Sequence, residues 1–386
     1  MSRRGSILFY VQHLLGIGHV KRAACLARAL SQAGFGVTLV SGGMPVPGLD
    51  AGDATLVQLP PIRSADASFS RLVDEMGEPA LAPVFTARRI RLLEALEAAD
   101  PDIVITEHFP FGRRKLQGEI LGLLDICRAR PHRPVVMASV RDILVTPKDP
   151  QQCADWVETY YDAVLVHGDP SIVPFEASFP LTKRIASKIH YTGYVAEPGP
   201  APASDNDRFE IVVSAGGGTE ARSLLDATLA ARALTSVRNG PWRVLLGLNA
   251  TTAEREAIRA MAGPGVAVEA FRGDLPELLS KARVSVSRAG YNTMAETLAS
   301  GTRMVVVPFE TERETEQGER AARFAACGLC QMVSQDDLSP ENLAQTIDAA
   351  LKSPLPDRTR IRLDGAQATA TLLSQWITQA EGARSA

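Results

Sequence analysis

Short β-type runs alternate with helical patterns along this chain, stop once near the middle, and then alternate again. No other feature restricts the fold as strongly. In the first half, residues 7–11 are apolar between polar neighbours. Val20, Ala23, Ala27 and Leu30 then recur at helical spacing before Gly34, which is placed to end the helix. Further strand candidates are 37–40, 103–106, 135–139, Ala163–His167 and 189–192, separated by helical stretches such as 80–99 and 116–130. Residues 196–207 read AEPGPAPASDND, without periodicity and with the composition of an interdomain linker. The alternation resumes with strand candidates at 211–214, 243–246, 266–270, 284–287 and 304–307. Alternation of this kind predicts parallel sheets covered on both faces by helices. In such sheets ligands sit at the carboxyl ends of the strands, so binding residues are sought in the loops just after each strand.

At 386 residues the chain is longer than one compact core usually takes, in line with two α/β domains around the linker. Lys plus Arg number 41 against 44 Asp plus Glu, and the resulting net charge of −3 excludes a generally basic nucleic-acid binder. No apolar run approaches the roughly 20 residues of a membrane span. The first residues lead straight into an apolar run too short for a signal-peptide core, so the cytoplasm is the expected location. The five cysteines are odd in number and mostly far apart, which argues against a disulfide framework. Cys327 and Cys330 form a lone CxxC without the second pair of a structural zinc site, and read as two small, half-buried thiols at a helix end.

The first strand runs into Gln12-His-Leu-Leu-Gly-Ile-Gly-His-Val-Lys-Arg22. Gly16 and Gly18 allow a tight turn and close approach to a ligand, and the helix start behind them favours anions. Lys21 stands where a dinucleotide fingerprint needs glycine, and no acid follows the second strand to hold a ribose, so a nicotinamide site is disfavoured. His19, at the mouth of this turn, can take a proton from an attacking hydroxyl near neutral pH. In the second half the strand 211–214 runs into Gly216, Gly217 and Gly218, a turn whose backbone N–H groups suit phosphate. The sharpest signal is Ser287-Arg-Ala-Gly-Tyr-Asn-Thr-Met-Ala-Glu296. It predicts a turn at Gly290, a helix capped by Asn292 or Thr293, and Glu296 one turn in, so that the helix start faces a diphosphate while the carboxylate accepts ribose hydroxyls. Glu316 and Gln317 follow the strand 304–307 and suit sugar hydroxyls; a solvated helix start is the plainer reading of the same pair. In the first half, Thr106-Glu-His-Phe-Pro-Phe-Gly-Arg-Arg-Lys115 follows a strand. Its Arg113, Arg114 and Lys115 suit a phosphate or carboxylate, and Phe109 and Phe111 a sugar face or lipid; an equally good reading is a solvated helix start behind packed aromatics. Arg141 and Asp142 form a second, weaker candidate after another strand.

Together the GxGHxxR turn, the linker, the glycine turn, SRAGYNTMAE and the PF…EQ segment resemble the MurG-like branch of GT-B glycosyltransferases, in the right order over nearly the whole chain. The segment from Glu107 to Arg114 is similar to one shared by glycosyltransferases of bacterial cell-surface polysaccharide clusters. The resemblance implies two Rossmann-like domains with parallel sheets facing across a cleft. An N-terminal acceptor domain would span 1–197, a linker 198–207, a nucleotide-sugar domain 208–365, and a last helix at 366–386 would cross back. It implies that Glu296 binds the ribose and that Gly290, Tyr291, Asn292 and Thr293 face the diphosphate. Phe271 and Arg272 would lie in the loop whose backbone meets the base, Glu316 and Gln317 would hold the donor sugar, and His19 would be the catalytic histidine. Gly16, Gly18, Glu107, Arg113, Arg114 and Arg141 are the expected acceptor side. A glutamine pair is commoner than Glu316-Gln317, which leaves the sugar open.

The expected reaction is inverting transfer from a UDP-sugar co-substrate to a hydroxyl of a glycan or lipid-linked acceptor. No metal and no further cofactor is expected, because Asp205-Asn-Asp207, which has the letters of a DxD motif, lies in the linker rather than after a strand. No nucleic-acid partner is expected, and a lipid-linked acceptor would bring the protein to the inner face of the membrane. The alternatives are a UDP-sugar hydrolase, since Gly16–Arg22 also resembles that of pseudaminic acid biosynthesis, and a non-catalytic nucleotide-sugar-binding protein.

Overall fold

The computed structural model describes residues 4–66, 69, 71–197, 200, 209–216, 221–247, 250–311 and 314–385. The chain divides into two compact units, Met1–Val195 with Asp364–Ala386, and Ala196–Leu363. Most of the expected linker, with Asp205 and Asp207, lies outside the described residues.

The first unit contains β1 (Ser6–Val11), α1 (Gly18–Gln32), β2 (Gly36–Ser41), β3 (Thr55–Gln58), the two-residue strands β4 (Arg63–Ser64) and β5 (Leu72–Val73), and α2 (Ala82–Ala99). β6 (Ile103–Glu107), α3 (Gln117–Ala129), β7 (Val135–Arg141), α4 (Pro150–Tyr160), β8 (Ala163–His167) and β9 (Ile189–Tyr191) follow. Seven strands form one parallel sheet in the order β3-β2-β1-β6-β7-β8-β9. Its central strands are almost continuously apolar and buried because helices cover both faces. β1 lies between β2 and β6, so the chain winds outward first on one side of β1 and then on the other. The resulting crevice at the ends of β1 and β6 is where an open α/β sheet binds ligands.

The second unit contains β10 (Phe209–Ser214), α5 (Ala221–Arg232), β11 (Trp242–Leu245), α6 (Thr252–Ala262), β12 (Val266–Glu269) and α7 (Leu275–Ser280). β13 (Ala282–Ser287), α8 (Tyr291–Ala299), β14 (Arg303–Val306), α9 (Glu316–Ala326), β15 (Gln331–Met332) and α10 (Pro340–Lys352) complete it. Its parallel sheet runs β12-β11-β10-β13-β14-β15, with the switch between β10 and β13.

The last helix, α11 (Gly365–Ser385), packs on α1 in the first unit. Ala366, Ala370, Leu373 and Ile377 recur at one-turn spacing and share a core with Ile7, Phe9, Val20 and Ala27. Burying Leu373 alone contributes about 1.5–3 kcal/mol, and the alanines of α1 let the two helices approach closely.

Two local expectations change. β3 and β15, two of the four edge strands, escape the sequence pattern because neither is a buried apolar run. Helix α8 begins at Tyr291, with Gly290 in the cap position and no side-chain cap, so neither Asn292 nor Thr293 caps it. Both lie inside the first turn, where their own backbone is already helical. Cys327 closes α9 and Cys330 donates weakly to the Ala321 carbonyl; burial pushes the Cys330 thiol up to about 12, which makes it an inert packing group.

Candidate functional site

In the first unit the register of three neighbouring strands gathers polar side chains at one edge. β6 ends in Glu107 opposite Ser139 of β7, and Arg141 of β7 lies opposite His167 of β8. Glu107 is wholly buried. Its Oε1 accepts from Arg22 of α1 and lies 2.9 Å from His19 Nδ1, while its Oε2 accepts from Ser139 Oγ at 2.6 Å. The His19 side chain keeps 15% exposure, so its ring reaches the surface while its Nδ1 edge is anchored. The His108 ring lies 5.0 Å from that of His19, centroid to centroid.

The loops are shaped to hold these rings. His108 and Arg113 adopt left-handed backbone, φ 70° and 61°, which is sparsely populated for residues with a side chain. The turn is held by His108 N donating to the Ser139 carbonyl at 2.7 Å and Gly112 N to the His108 carbonyl at 2.9 Å. A Cβ on Gly112 would stand 2.3 Å from the His108 ring, and one on Gly43 would stand 2.4 Å from the His13 ring. Glycine is required at both because the imidazoles lie against the backbone.

Desolvation keeps these histidines neutral. It is the first cause at His19 and His108, where Arg113 adds to it, and both titrate well below the ordinary 6.5. Burial lowers His13 to about 4 and His167 to about 3. Desolvation also pulls Arg113 down to about 10, with Arg141 adding to it and Glu107 opposing. Folded-state values below the unfolded ones mean that the unfolded chain binds more protons below about pH 6.5. Stability is therefore complete above that pH and is lost as pH falls toward the folded values. Between pH 6 and 5 we expect it to drop by about 2 kcal/mol from His13 and His167 together, with His19 and His108 adding in the same direction. Urea unfolding at pH 7.5, 6 and 5 checks this; a flat profile would contradict the burial of neutral histidines.

Several expected acceptor contacts are placed differently. Glu107 is beneath His19 and cannot meet an acceptor directly, because all its exposure is lost to His19, Arg22 and Ser139. Phe109 and Phe111 are buried rather than open to sugar or lipid: Phe109 packs on Trp156 at 5.2 Å, and Phe111 stands edge-on to Phe175 and Phe179 at 5.4 and 5.0 Å. Arg114 lies over the Trp156 ring at 5.8 Å and donates to the Asp149 carbonyl at 3.1 Å, away from His19. Arg113 donates to the Gln12 carbonyl at 2.7 Å and, with Arg141, does lie near His19 and His108. Gly16 has open space where a side chain would be, and Gly18 opens α1. Asp142 is buried under Tyr194 OH at 3.0 Å, a structural role. Sequence reasoning missed Ser139, His167, His108 and His13. Ser139 and His167 were each the last residue of a recognised strand, and that position was their available signal.

In the second unit the expected donor residues lie at the carboxyl ends of β10, β12, β13 and β14. Gly216 follows β10 with φ 78°; Gly217 and Gly218 lie outside the described residues. Ser214 pairs with Ser287, which brings the Gly216 turn beside the Gly290 turn. The first turn of α8 carries the backbone N–H groups of Tyr291, Asn292 and Thr293, and Gly290 in the cap position has no side chain to bond them. Glu296 sits in the second turn and is buried. Arg320, wholly buried in α9 and unsuspected in the sequence, donates to the Ala289 carbonyl at 3.0 Å and lies over the Tyr291 ring at 5.9 Å, so it fixes this turn. Phe271 and Arg272 follow β12, and the Arg272 guanidinium is engaged by Glu269 and Asp274. Glu316 and Gln317 open α9 after β14, and Gln317 Oε1 accepts from Phe309 N at 3.2 Å. Among the described residues, no group of three or more His, Cys, Asp or Glu is placed to hold a metal ion. No described helix is long and apolar enough to cross a membrane.

Two Rossmann-like units, each with a site at its strand switch, define the GT-B fold class. Residues 211–371 match the glycosyltransferase family 28 C-terminal domain. Within that class the chain is similar to the MurG-like branch. The UDP-N-acetylglucosamine--N-acetylmuramyl-(pentapeptide) pyrophosphoryl-undecaprenol N-acetylglucosamine transferase of Brucella anthropi is 31% identical over 192 residues, 45% of this chain and 51% of that protein. The match thus spans about half the length of the curated relative. Among solved structures, MurG of Acinetobacter baumannii superposes with a TM-score of 0.58 at 17% identity, covering 97% of this chain and 99% of that one. A Listeria monocytogenes protein assigned as a UDP-N-acetylglucosamine 2-epimerase superposes with a TM-score of 0.61 at 15% identity, covering 96% and 95%. The fold is therefore shared by proteins assigned to different reactions, and the chemistry rests on the sites.

Proposed function

We propose that this chain is an inverting glycosyltransferase. It moves a sugar from a nucleoside-diphosphate sugar, UDP-linked by the resemblance, to a hydroxyl of a glycan or lipid-linked acceptor in cell-surface polysaccharide synthesis. The observation that carries this is the neutral, surface-reaching His19, held through Nδ1 by the buried Glu107. With its proton donated to Glu107, the ring presents the Nε2 lone pair as a base. That nitrogen takes the acceptor hydroxyl proton as the oxygen bonds to the anomeric carbon. The carbon–oxygen bond to the diphosphate breaks, its electron pair leaves with the nucleoside diphosphate, and attack from the opposite face inverts the anomeric centre. The start of α8 and the Gly216 turn would stabilise the leaving charge. Glu296 would accept the ribose hydroxyls, and Glu316 and Gln317 the sugar hydroxyls. Arg113 and Arg141 favour an acceptor that carries a phosphate or carboxylate near its reacting hydroxyl.

Donor binding tests the second unit's role. Glu296→Ala should weaken UDP binding by about 1.5–3 kcal/mol, the range for hydrogen bonds to a charged group, with the fold intact. Calorimetry in excess EDTA measures this without metal. Unchanged affinity in a folded Glu296→Ala protein would remove the ribose assignment, and binding recovered only with manganese would overturn a metal-free mechanism. The rival reading is hydrolysis of the same donor, favoured by the Gly16–Arg22 resemblance.

A further inference from the structure

Below His19 the hydrogen bonding does not stop at Glu107. Ser139 Oγ lies 2.6 Å from Glu107 Oε2 and 3.0 Å from His167 Nε2, and His167 Nδ1 lies 2.8 Å from Thr192 Oγ1. This line crosses the ends of β6, β7 and β8 to the residue after β9, and Glu107, Ser139, His167 and Thr192 are all buried.

The protons on this line can be assigned by counting. Arg22, a fixed cation, donates to Glu107 Oε1, and a cation at that distance favours the carboxylate, a pure acceptor. Ser139 has one proton, and the shorter contact gives it to Glu107 Oε2. His167 Nε2 must then be the donor toward Ser139 Oγ. Burial keeps His167 neutral, so its Nδ1 carries the lone pair and takes the Thr192 hydroxyl proton. The Gly193 carbonyl, 3.2 Å from Thr192 Oγ1, is the longer competitor for that proton. Every bond on the line then donates toward Glu107. His19 Nδ1 lies 2.9 Å from Oε1 and 3.4 Å from Arg22 Nη2; the longer contact suits a lone pair, but the shorter one, to a carboxylate oxygen, is satisfied only by an N–H on Nδ1.

We propose that Ser139, His167 and Thr192 are positioning residues whose one-way chain of donors into Glu107 sets His19 in the Nδ1–H tautomer, with its lone pair on Nε2. A neutral imidazole carries its proton on either nitrogen, and only this choice leaves Nε2, the nitrogen that Glu107 does not hold, as a base. The functional use rests on His19 acting as that base, but the tautomer is readable without substrate.

The experiment is long-range proton–nitrogen correlation on the full-length protein labelled with nitrogen-15 histidine, at pH 7.5, with single substitutions as assignments. His19 should show an unprotonated Nε2 and a protonated Nδ1, and His167 the reverse. Ser139→Ala and His167→Leu should abolish the fixed His19 pattern and give averaged resonances. His167→Gln, whose amide N–H stands near the lost Nε2–H, should restore it. A wild-type His19 protonated on Nε2 would overturn the proposal, as would an unaltered His19 pattern in both folded variants. If neither variant folds, the wild-type tautomers of His19 and His167 decide alone. The expected tautomers in a chain that binds no UDP would uphold the relay while removing the glycosyltransferase reading.

Discussion

Replacing His19 with alanine is expected to cut sugar transfer by roughly 100-fold or more, the usual scale for losing a general base. Donor affinity should be unchanged, because the residues proposed to bind the donor lie in the other unit. The variant should also fold, since Arg22 still pairs with Glu107 and the buried carboxylate is not orphaned. Following UDP release with and without a glycan acceptor separates the two chemistries. A transferase releases UDP slowly from donor alone and faster with acceptor. Fast release that no acceptor changes, lost in His19→Ala, would identify a hydrolase. Tight donor binding without turnover in the wild type would leave a binding protein.

Replacing Arg88 with leucine is expected to cost about 3–5 kcal/mol of stability, the range for breaking a buried ion pair by removing one partner. Arg88 is wholly buried in α2 and donates to both oxygens of Glu119, at 2.9 and 2.8 Å. It also donates to Gln12 Oε1 and to the carbonyls of Gly42 and Pro60, at 2.8, 2.8 and 2.7 Å. Without it Glu119 keeps, among the described residues, Tyr10 OH at 2.6 Å as its side-chain partner, and the loops after β1 and β2 lose their common anchor. Lysine should not rescue the loss, because a point charge cannot replace the planar fork. The exposed neighbour Arg89, changed to alanine, should move stability by less than about 0.5 kcal/mol. Urea unfolding compares the three; a loss below about 1 kcal/mol in Arg88→Leu would show that the network contributes little.

Much of the architecture was legible before any coordinates. Parallel strands buried on both faces must be apolar runs, and crossovers must be helices, so the strands from 7–11 to 304–307 declare themselves. Of the four edge strands, β9 and β12 do and β3 and β15 do not, because an edge strand can but need not be an apolar run. At the site, the residues that could be named were those on glycine turns and strand ends: His19, Gly290 and Glu296. Arg320, Arg88 and His167 could not be named, since a buried charge or imidazole looks in sequence like any surface one.

The same line divides determination from decision. By itself the sequence determined two α/β units, because strand and helix periodicities are local properties of neighbouring residues. It also set the chemical groups available after each strand. What only the tertiary structure decided is which groups meet. Glu107 reads as an acceptor contact beside Arg113 and Arg114, yet parallel pairing sets it next to Ser139, and α1 covers it with His19 and Arg22. Strand register and helix docking join residues 88 positions apart, and no local pattern records such a pairing. The charge on a carboxylate and the tautomer of an imidazole follow from those neighbours and from exclusion of water, and both exist only in the folded chain.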